Sequence, residues 1–335
     1  MVANANDFQI KAGEEFACIC FSGAKFSARQ LPDPFEAGPR LWVSGKPPVN
    51  LDEVWRKWLG KIISERIERF SSFVITARRG STADRLQARA LHFFWGICIT
   101  AGFIQFDTGH VIWGNLREAA AYQGGIRVGM GLSKVYRTMG VSPPEPTIAD
   151  LQQAATLAER LEQMTQERDD DIANRNNPFT ALYLRPISAI AALQAGAQQT
   201  EPAYRLHQFV RTVEAFMPAS VRGGSDFVKY GSVLLQPNSK NADALKQMYD
   251  LRSATEHHRP FDQRALPGVG NPNDIAMQRA RQAETLAREV LRRFVAGPKD
   301  LLAHFKDETS LEKFWADSQQ LSQAWGAPID INAVP

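Results

Sequence analysis

Cysteine is scarce in this chain, with three in 335 residues. Cys18, Cys20 and Cys98 are too few for the disulfide framework of a small secreted scaffold. Cys18 and Cys20 lie two apart in FACICF, so a strand turns both to one face. No second cysteine pair or nearby histidine completes a zinc site, and the three read as small buried apolar residues. Long apolar runs are missing as well. The longest, Phe93 to Ile104, has 12 residues, where a membrane span needs about 20, so no membrane association is expected. The opening MVANANDFQIKAGEE lacks the charged start and apolar stretch of a signal peptide. Together these absences predict a cytoplasmic protein in a reducing compartment. A strong charge of one sign is absent too: the net charge is +3, which does not by itself announce a nucleic-acid binder.

What is present is an ordinary globular composition, 44% hydrophobic and 22% charged, which excludes a disordered chain. The length exceeds what one hydrophobic core usually accommodates, so two domains are expected. The charge is unevenly spread: residues 178–296 hold 15 Lys and Arg against 10 Asp and Glu, and the remainder is slightly acidic.

The first third mixes strand and helix signals. Phe16–Phe21 and Leu41–Val43 are short β-like runs closed by Ser22-Gly23 and Ser44-Gly45. Asn50 can cap a single helix in which Val54, Trp55, Trp58, Leu59, Ile62, Ile63 and Ile67 recur at helical spacing. Phe73–Thr76 reads as another strand and Leu86–Thr100 as a largely buried helix. VSPPEP, Val141–Pro146, breaks the pattern, because its prolines cannot continue a helix. A connecting helix then starts at Thr147 or Asp150 and runs to about Arg168, leaving Asp169, Asp170 and Asp171 as a solvated helix end. Consecutive acids do not converge on one point, so they are not read as a metal site.

Beyond this the chain is helical. The spacing predicts helices over Leu182–Ala197, from Pro202 to Pro218, over Phe227–Leu235, over Asn241–Thr255, and from Asn273 until Gly297-Pro298 ends it. Consecutive helices with short connections indicate a bundle. The fold expected is therefore α+β: a mixed domain over residues 1–145, a connecting helix and linker over 147–177, an all-α bundle over 178–296 and a helical tail over 297–335.

One stretch could carry chemistry: Met248–His258, MYDLRSATEHH. Histidine titrates near neutral pH and can take or give a proton, and arginine presents a fixed, charged fork to phosphate oxygens. A plain structural reading stands beside this one. Arg252 and Glu256 are four apart, the spacing of a surface ion pair. His257 lies five residues beyond Arg252, about 140° round a helix, so the two meet only if the helix ends or a second chain intervenes. His257, His258 and Arg259 also suit a polar helix end, whose dipole favours cations.

Tyr249, Arg252, Ser253 and His257 together resemble the Tyr-x-x-Arg-Ser core followed by His of the HEPN superfamily, in its Apea-like branch. LHQFVRTVEAFMP, Leu206–Pro218, resembles the branch's earlier helix, in which a Glu, here Glu214, follows an apolar stripe. RQAETLAREVLRRF, Arg281–Phe294, resembles its closing helix. The resemblance covers about residues 178–296. It departs at one position: the branch usually has Gly after the motif His, whereas this chain has His258, leaving open which of His257 and His258 acts. His257 holds the matching position.

The resemblance implies a metal-independent endoribonuclease without a cofactor. Arg252 would stabilise the phosphate, His257 would be general acid and base, and Ser253 would hold a phosphate oxygen or orient Arg252. Family members pair two copies of the motif across a homodimer, and the branch is associated with toxin and anti-phage defence roles. His258, Tyr249, Glu214, Arg211 and His207 are candidates to line the same RNA groove. Residues 1–145 would sense a protein or nucleotide regulator, or position the target. The alternative is a non-catalytic helical module that binds a nucleotide or a protein partner.

Other signals are weaker. Gly124, Gly125, Gly129 and Gly131 lack phosphate-loop spacing and read as a turn or strand junction. His92 reads as a core histidine bonded to backbone, His110 as a turn residue, and His304 as part of a terminal helix.

Overall fold

In a computed structural model of the chain, the residues described are 14–22, 32–48, 53–102, 109–115, 127–132, 134–136, 145–219, 223–259 and 271–333. The architecture is α+β. Two compact units are present, Met1–Val135 with Ser142–Glu162, and Tyr136–Val141 with Gln163–Pro335.

The first unit is built on a six-stranded antiparallel sheet. Its strands are β1 (Glu15–Phe21), β2 (Phe35–Gly38), β3 (Leu41–Ser44), β4 (Ser72–Arg78), β5 (Gly109–Asn115) and β6 (Arg127–Leu132), in the order β2-β3-β4-β1-β5-β6. β1 is central, and Phe16 to Phe21 are all buried, as their unbroken apolar run requires of a strand covered on both faces. One face packs Phe16, Cys18, Cys20, Phe73, Ile75 and Ile112 against Ile67 and Phe70. Cys18 and Cys20 do share that face, with their sulfurs 3.7 Å apart. On the other face Phe21 meets Phe94 edge-on, at 5.4 Å between ring centres.

Three short-range expectations are corrected here. The helix predicted through Val54–Ile67 is two, α1 (Glu53–Leu59) and α2 (Lys61–Arg69), parted at Gly60 with φ +79°. Only glycine adopts that angle without strain, and Trp58 and Ile62 are left exposed beside the break. His110 lies in β5 rather than in a turn, against Phe70 and Arg66. Gly129 and Gly131 lie within β6, and a Cβ at Gly129 would meet the Trp113 ring. Gly124, Gly125, Asn50 and residues 141–144 of the proline break lie outside the described residues. The buried helix is α3 (Ala83–Thr100), capped by Thr82.

α4 (Ile148–Arg175) is continuous for 28 residues, and its two halves belong to different units. It does not stop near Arg168, and Asp169–Asp171 are interior to it. Asp171 is buried, accepts the Leu182 N–H at 3.2 Å and pairs with Arg175 at 2.7 Å. That satisfied carboxylate lets the helix carry acids one turn further.

The second unit contains α5 (Leu184–Gln198), α6 (Pro202–Glu214), α7 (Gly224–Leu234), α8 (Ser239–Glu256), α9 (Pro272–Val290), α10 (Glu308–Ala316) and α11 (Ser318–Trp325). α9 continues as a π-helical turn over Leu291–Val295. α6 is the inner helix, and packs against α5, α8 and α9. Of the apolar stripe expected up to Pro218, Leu206, Phe209, Val210 and Val213 lie on α6, Phe216 and Met217 lie beyond its end at Glu214, and all six are buried. The C-terminal segment is part of this unit rather than a separate tail. The Trp315 indole donates to the Phe216 carbonyl at 2.6 Å and that of Trp325 to Leu234 at 2.7 Å. Phe216, Phe294, Phe305, Phe314 and Trp325 form its aromatic core. No helix among the described residues is long and apolar enough to cross a membrane.

Candidate functional site

Two helices of the second unit place the candidate residues. α6 starts on Pro202, whose missing N–H is no loss in a first turn. His207, Arg211 and Glu214 follow at intervals of four and three, so they share one face. α8 starts under Asn238, whose side chain accepts the Asn241 N–H at 2.8 Å. Its Leu245, Met248 and Leu251 are buried, while Tyr249, Arg252 and Glu256 make a neighbouring stripe at three- and four-residue steps.

Arg252 is the centre of the cluster. One of its terminal nitrogens donates to Glu214 on α6, at 3.2 Å, and the other to Glu256 one turn further along α8. The guanidinium lies over the Tyr249 ring, 5.8 Å from its centre. Tyr249 in turn packs on Phe227. The two ion pairs are unequal. The Glu214 side chain is 21% exposed and that of Glu256 42%, while Arg252 itself is 18% exposed.

Burial raises the Glu214 pKa above the ordinary carboxylate value. Arg252 pulls it back down and the Glu256 charge pushes it up again. His207 on α6 is half-buried near Arg252, and among the described residues its shielded Nδ1 makes no hydrogen bond. Burial lowers its pKa. The Arg252 backbone and Glu256 act against that shift, and the charges of Arg252 and Arg211 act with it.

His257 is the C-terminal cap of α8 and is exposed. Its N–H reaches the Ser253 carbonyl at 3.1 Å. His258 follows with φ +51° and is also exposed. The His258 N–H bonds Thr255 O at 3.2 Å and the Arg259 N–H bonds Ala254 O at 2.8 Å. These are the two bonds of a Schellman turn, whose left-handed position is usually glycine.

The sequence-predicted residues thus fall into two groups. Arg252, Tyr249, Glu214 and His207 are brought together, with Arg211 beside them on the exposed edge of α6. His257 and His258 stand at the helix end, and among the described residues no hydrogen bond ties either ring to Arg252. Ser253 is half-buried on α8, and among the described residues its hydroxyl makes no hydrogen bond to Arg252. Sequence reasoning missed Glu256 as a member of the site. Its spacing from Arg252 was visible, but not that a second carboxylate, from α6, holds the same guanidinium.

Elsewhere, His92 is half-buried, and among the described residues its Nδ1 makes no hydrogen bond. His304 bonds Gln320 in a short 3-10 segment. Among the described residues no group of three or more His, Cys, Asp or Glu side chains is placed to hold a metal ion. No protein-family model matches this chain, and neither a curated protein nor a solved structure matches it.

Proposed function

We propose that the helical unit is a metal-independent endoribonuclease, acting in the cytoplasm as a toxin or defence effector, with Arg252 and His257 as its working residues. The observation that carries this reading is where α8 ends. Helical geometry holds His257 about 140° away from Arg252, because its N–H still makes the helical bond to Ser253 O, so the two side chains would meet across a second copy of the chain. The next residue adopts the left-handed conformation, at the position where the Apea-like HEPN branch has glycine. Glycine takes that conformation without strain.

In this mechanism the imidazole of His257 takes the proton of a ribose 2′-hydroxyl as its oxygen attacks the adjacent phosphorus. The P–O5′ bond breaks, the leaving 5′-oxygen takes the proton back from the His257 imidazolium, and a 2′,3′-cyclic phosphate remains. Arg252 neutralises the charge that builds on the phosphate oxygens. Two copies of the motif facing each other in a homodimer would complete the groove, with His258, Ser253, Tyr249, Arg211 and His207 along it. Residues 1–145 would receive the regulator.

A second reading has its own observation. Arg252 is already held by two carboxylates, the arrangement of a structural ion-pair network in a module that binds a nucleotide or a protein partner without cleaving anything. The test compares wild type, Arg252→Ala and His257→Ala on total and synthetic RNA in EDTA. Cleavage that leaves cyclic phosphate ends and is lost in both variants is the expected result. RNA left intact by folded wild type, with no toxicity of wild type over the variants in cells, decides for the binding module.

A further inference from the structure

The two carboxylates on Arg252 differ in every respect that bears on whether they can leave. Glu214 comes from another helix, is mostly buried, and bonds the inner fork of the guanidinium. Removing it from Arg252 would strand a shielded carboxylate, which is costly. Glu256 comes from the same helix at the four-residue spacing, is 42% exposed, and bonds the outer fork. Exposed pairs of that kind are weak and screened by salt.

Glu256 is also misplaced by helix electrostatics. It is the last residue of α8, and the last turn holds no basic residue. Carboxylates are disfavoured there, because the helix dipole is negative at that end. Its charge also works against Glu214, whose pKa it helps to raise. What Glu256 does have is the outer face of Arg252, the planar fork that matches a phosphate as well as a carboxylate.

Building on the reading of Arg252 as the phosphate-binding residue, we propose that Glu256 occupies the phosphate seat of Arg252 in the resting protein and is displaced by the RNA backbone, while Glu214 stays bound as the residue that positions the guanidinium. The site is thus self-masked. An incoming phosphate exchanges one anion for another on the outer fork, immediately before His257, and the inner fork keeps its aim throughout.

The test measures binding of full-length protein to a fluorescent 2′-O-methyl RNA 12-mer, which has no free 2′-hydroxyl and cannot be cleaved, by anisotropy in EDTA at low salt. Glu256→Gln removes the masking charge at an exposed position and is expected to tighten binding about two- to fivefold, the range an exposed ion pair spans. The gain should disappear on an Arg252→Ala background. Asp243→Asn makes the same charge change on α8 about 20 Å of helix before Glu256, and should leave affinity within about twofold, the lower end of that range. Glu214→Gln should weaken binding only while Arg252 is present, which a merely structural role would not require.

If Glu256→Gln leaves affinity unchanged while Arg252→Ala weakens it, the masking proposal is overturned and the reading of Arg252 survives. If the gain persists without Arg252, or Asp243→Asn reproduces it, the effect is general charge and the proposal is again overturned. If Arg252→Ala binds RNA as wild type does, the reading of the site itself fails.

Discussion

Glu214 on α6 and Arg252 on α8 are joined at 3.2 Å across the helix interface, with side chains only 21% and 18% exposed. The pair links the buried inner helix to the one that carries the candidate chemistry. Burial nevertheless raises the Glu214 pKa even with Arg252 beside it. A raised folded-state pKa has a definite sign: its contribution to stability is fully present below the ordinary value of 4.5 and is lost as pH rises through the folded value.

Arg252→Ala therefore strands Glu214 at neutral pH and less so in acid, where the carboxylate can be protonated. We expect a loss of about 1–2 kcal/mol at pH 7, set between exposed and buried pairs, shrinking towards pH 4. In a double-mutant cycle with Glu214→Gln, urea unfolding should show coupling of about 1 kcal/mol. Additive effects, with a deficit independent of pH, would mean that the pair is incidental.

The second prediction concerns His258. Its φ of +51° places an L-residue where glycine is at ease, and the strain of such a position is about 1 kcal/mol or a little more. His258→Gly should stabilise the protein by about 0.5–1 kcal/mol, read as a raised unfolding midpoint. If the substitution destabilises instead, the His258 side chain supplies contacts worth more than the backbone strain. The comparison also separates the two histidines. His258→Gly should retain RNA cleavage and His257→Ala should abolish it.

These two sites show where the sequence was legible and where it was not. The apolar stripe of α6 and the limits of α8 follow from periodicity and from capping side chains, because both act within a few residues. The strand Phe16–Phe21 was readable for the same reason. The division at Gly60 was not, since the apolar spacing from Trp55 to Ile67 runs through it without a change of phase. α4 outlasts its expected end because Asp171 finds the Leu182 N–H, a contact made by chain that folds back from beyond the helix. The pairing of Glu214 with Arg252 spans 38 residues and depends on how α6 and α8 are rotated against each other. Local pattern placed each residue on a face, but only packing sets those faces together.

The last prediction is in the first unit, where His92 on α3 has a buried Nδ1 with no hydrogen-bond partner among the described residues, and a pKa lowered to about 4. Burial is the main cause; Glu162 acts against it and Arg89 with it. A depressed folded-state pKa contributes stability that is present above the ordinary value of 6.5 and lost as pH falls through the folded value. Between pH 7 and pH 4.5 the shift amounts to about 2–3 kcal/mol, at 1.36 kcal/mol for each unit. His92→Gln keeps a polar group but cannot gain the proton, so it should lose less stability than wild type over the same interval. Hydrogen exchange along α3 measures this locally, without assuming that the two units unfold together. Protection in wild type should fall more steeply than in His92→Gln as pH drops from 7 to 4.5, after correction for intrinsic exchange. Parallel losses in the two proteins would mean that the imidazole is hydrated and titrates freely, and that the acid sensitivity of the sheet unit lies in its carboxylates.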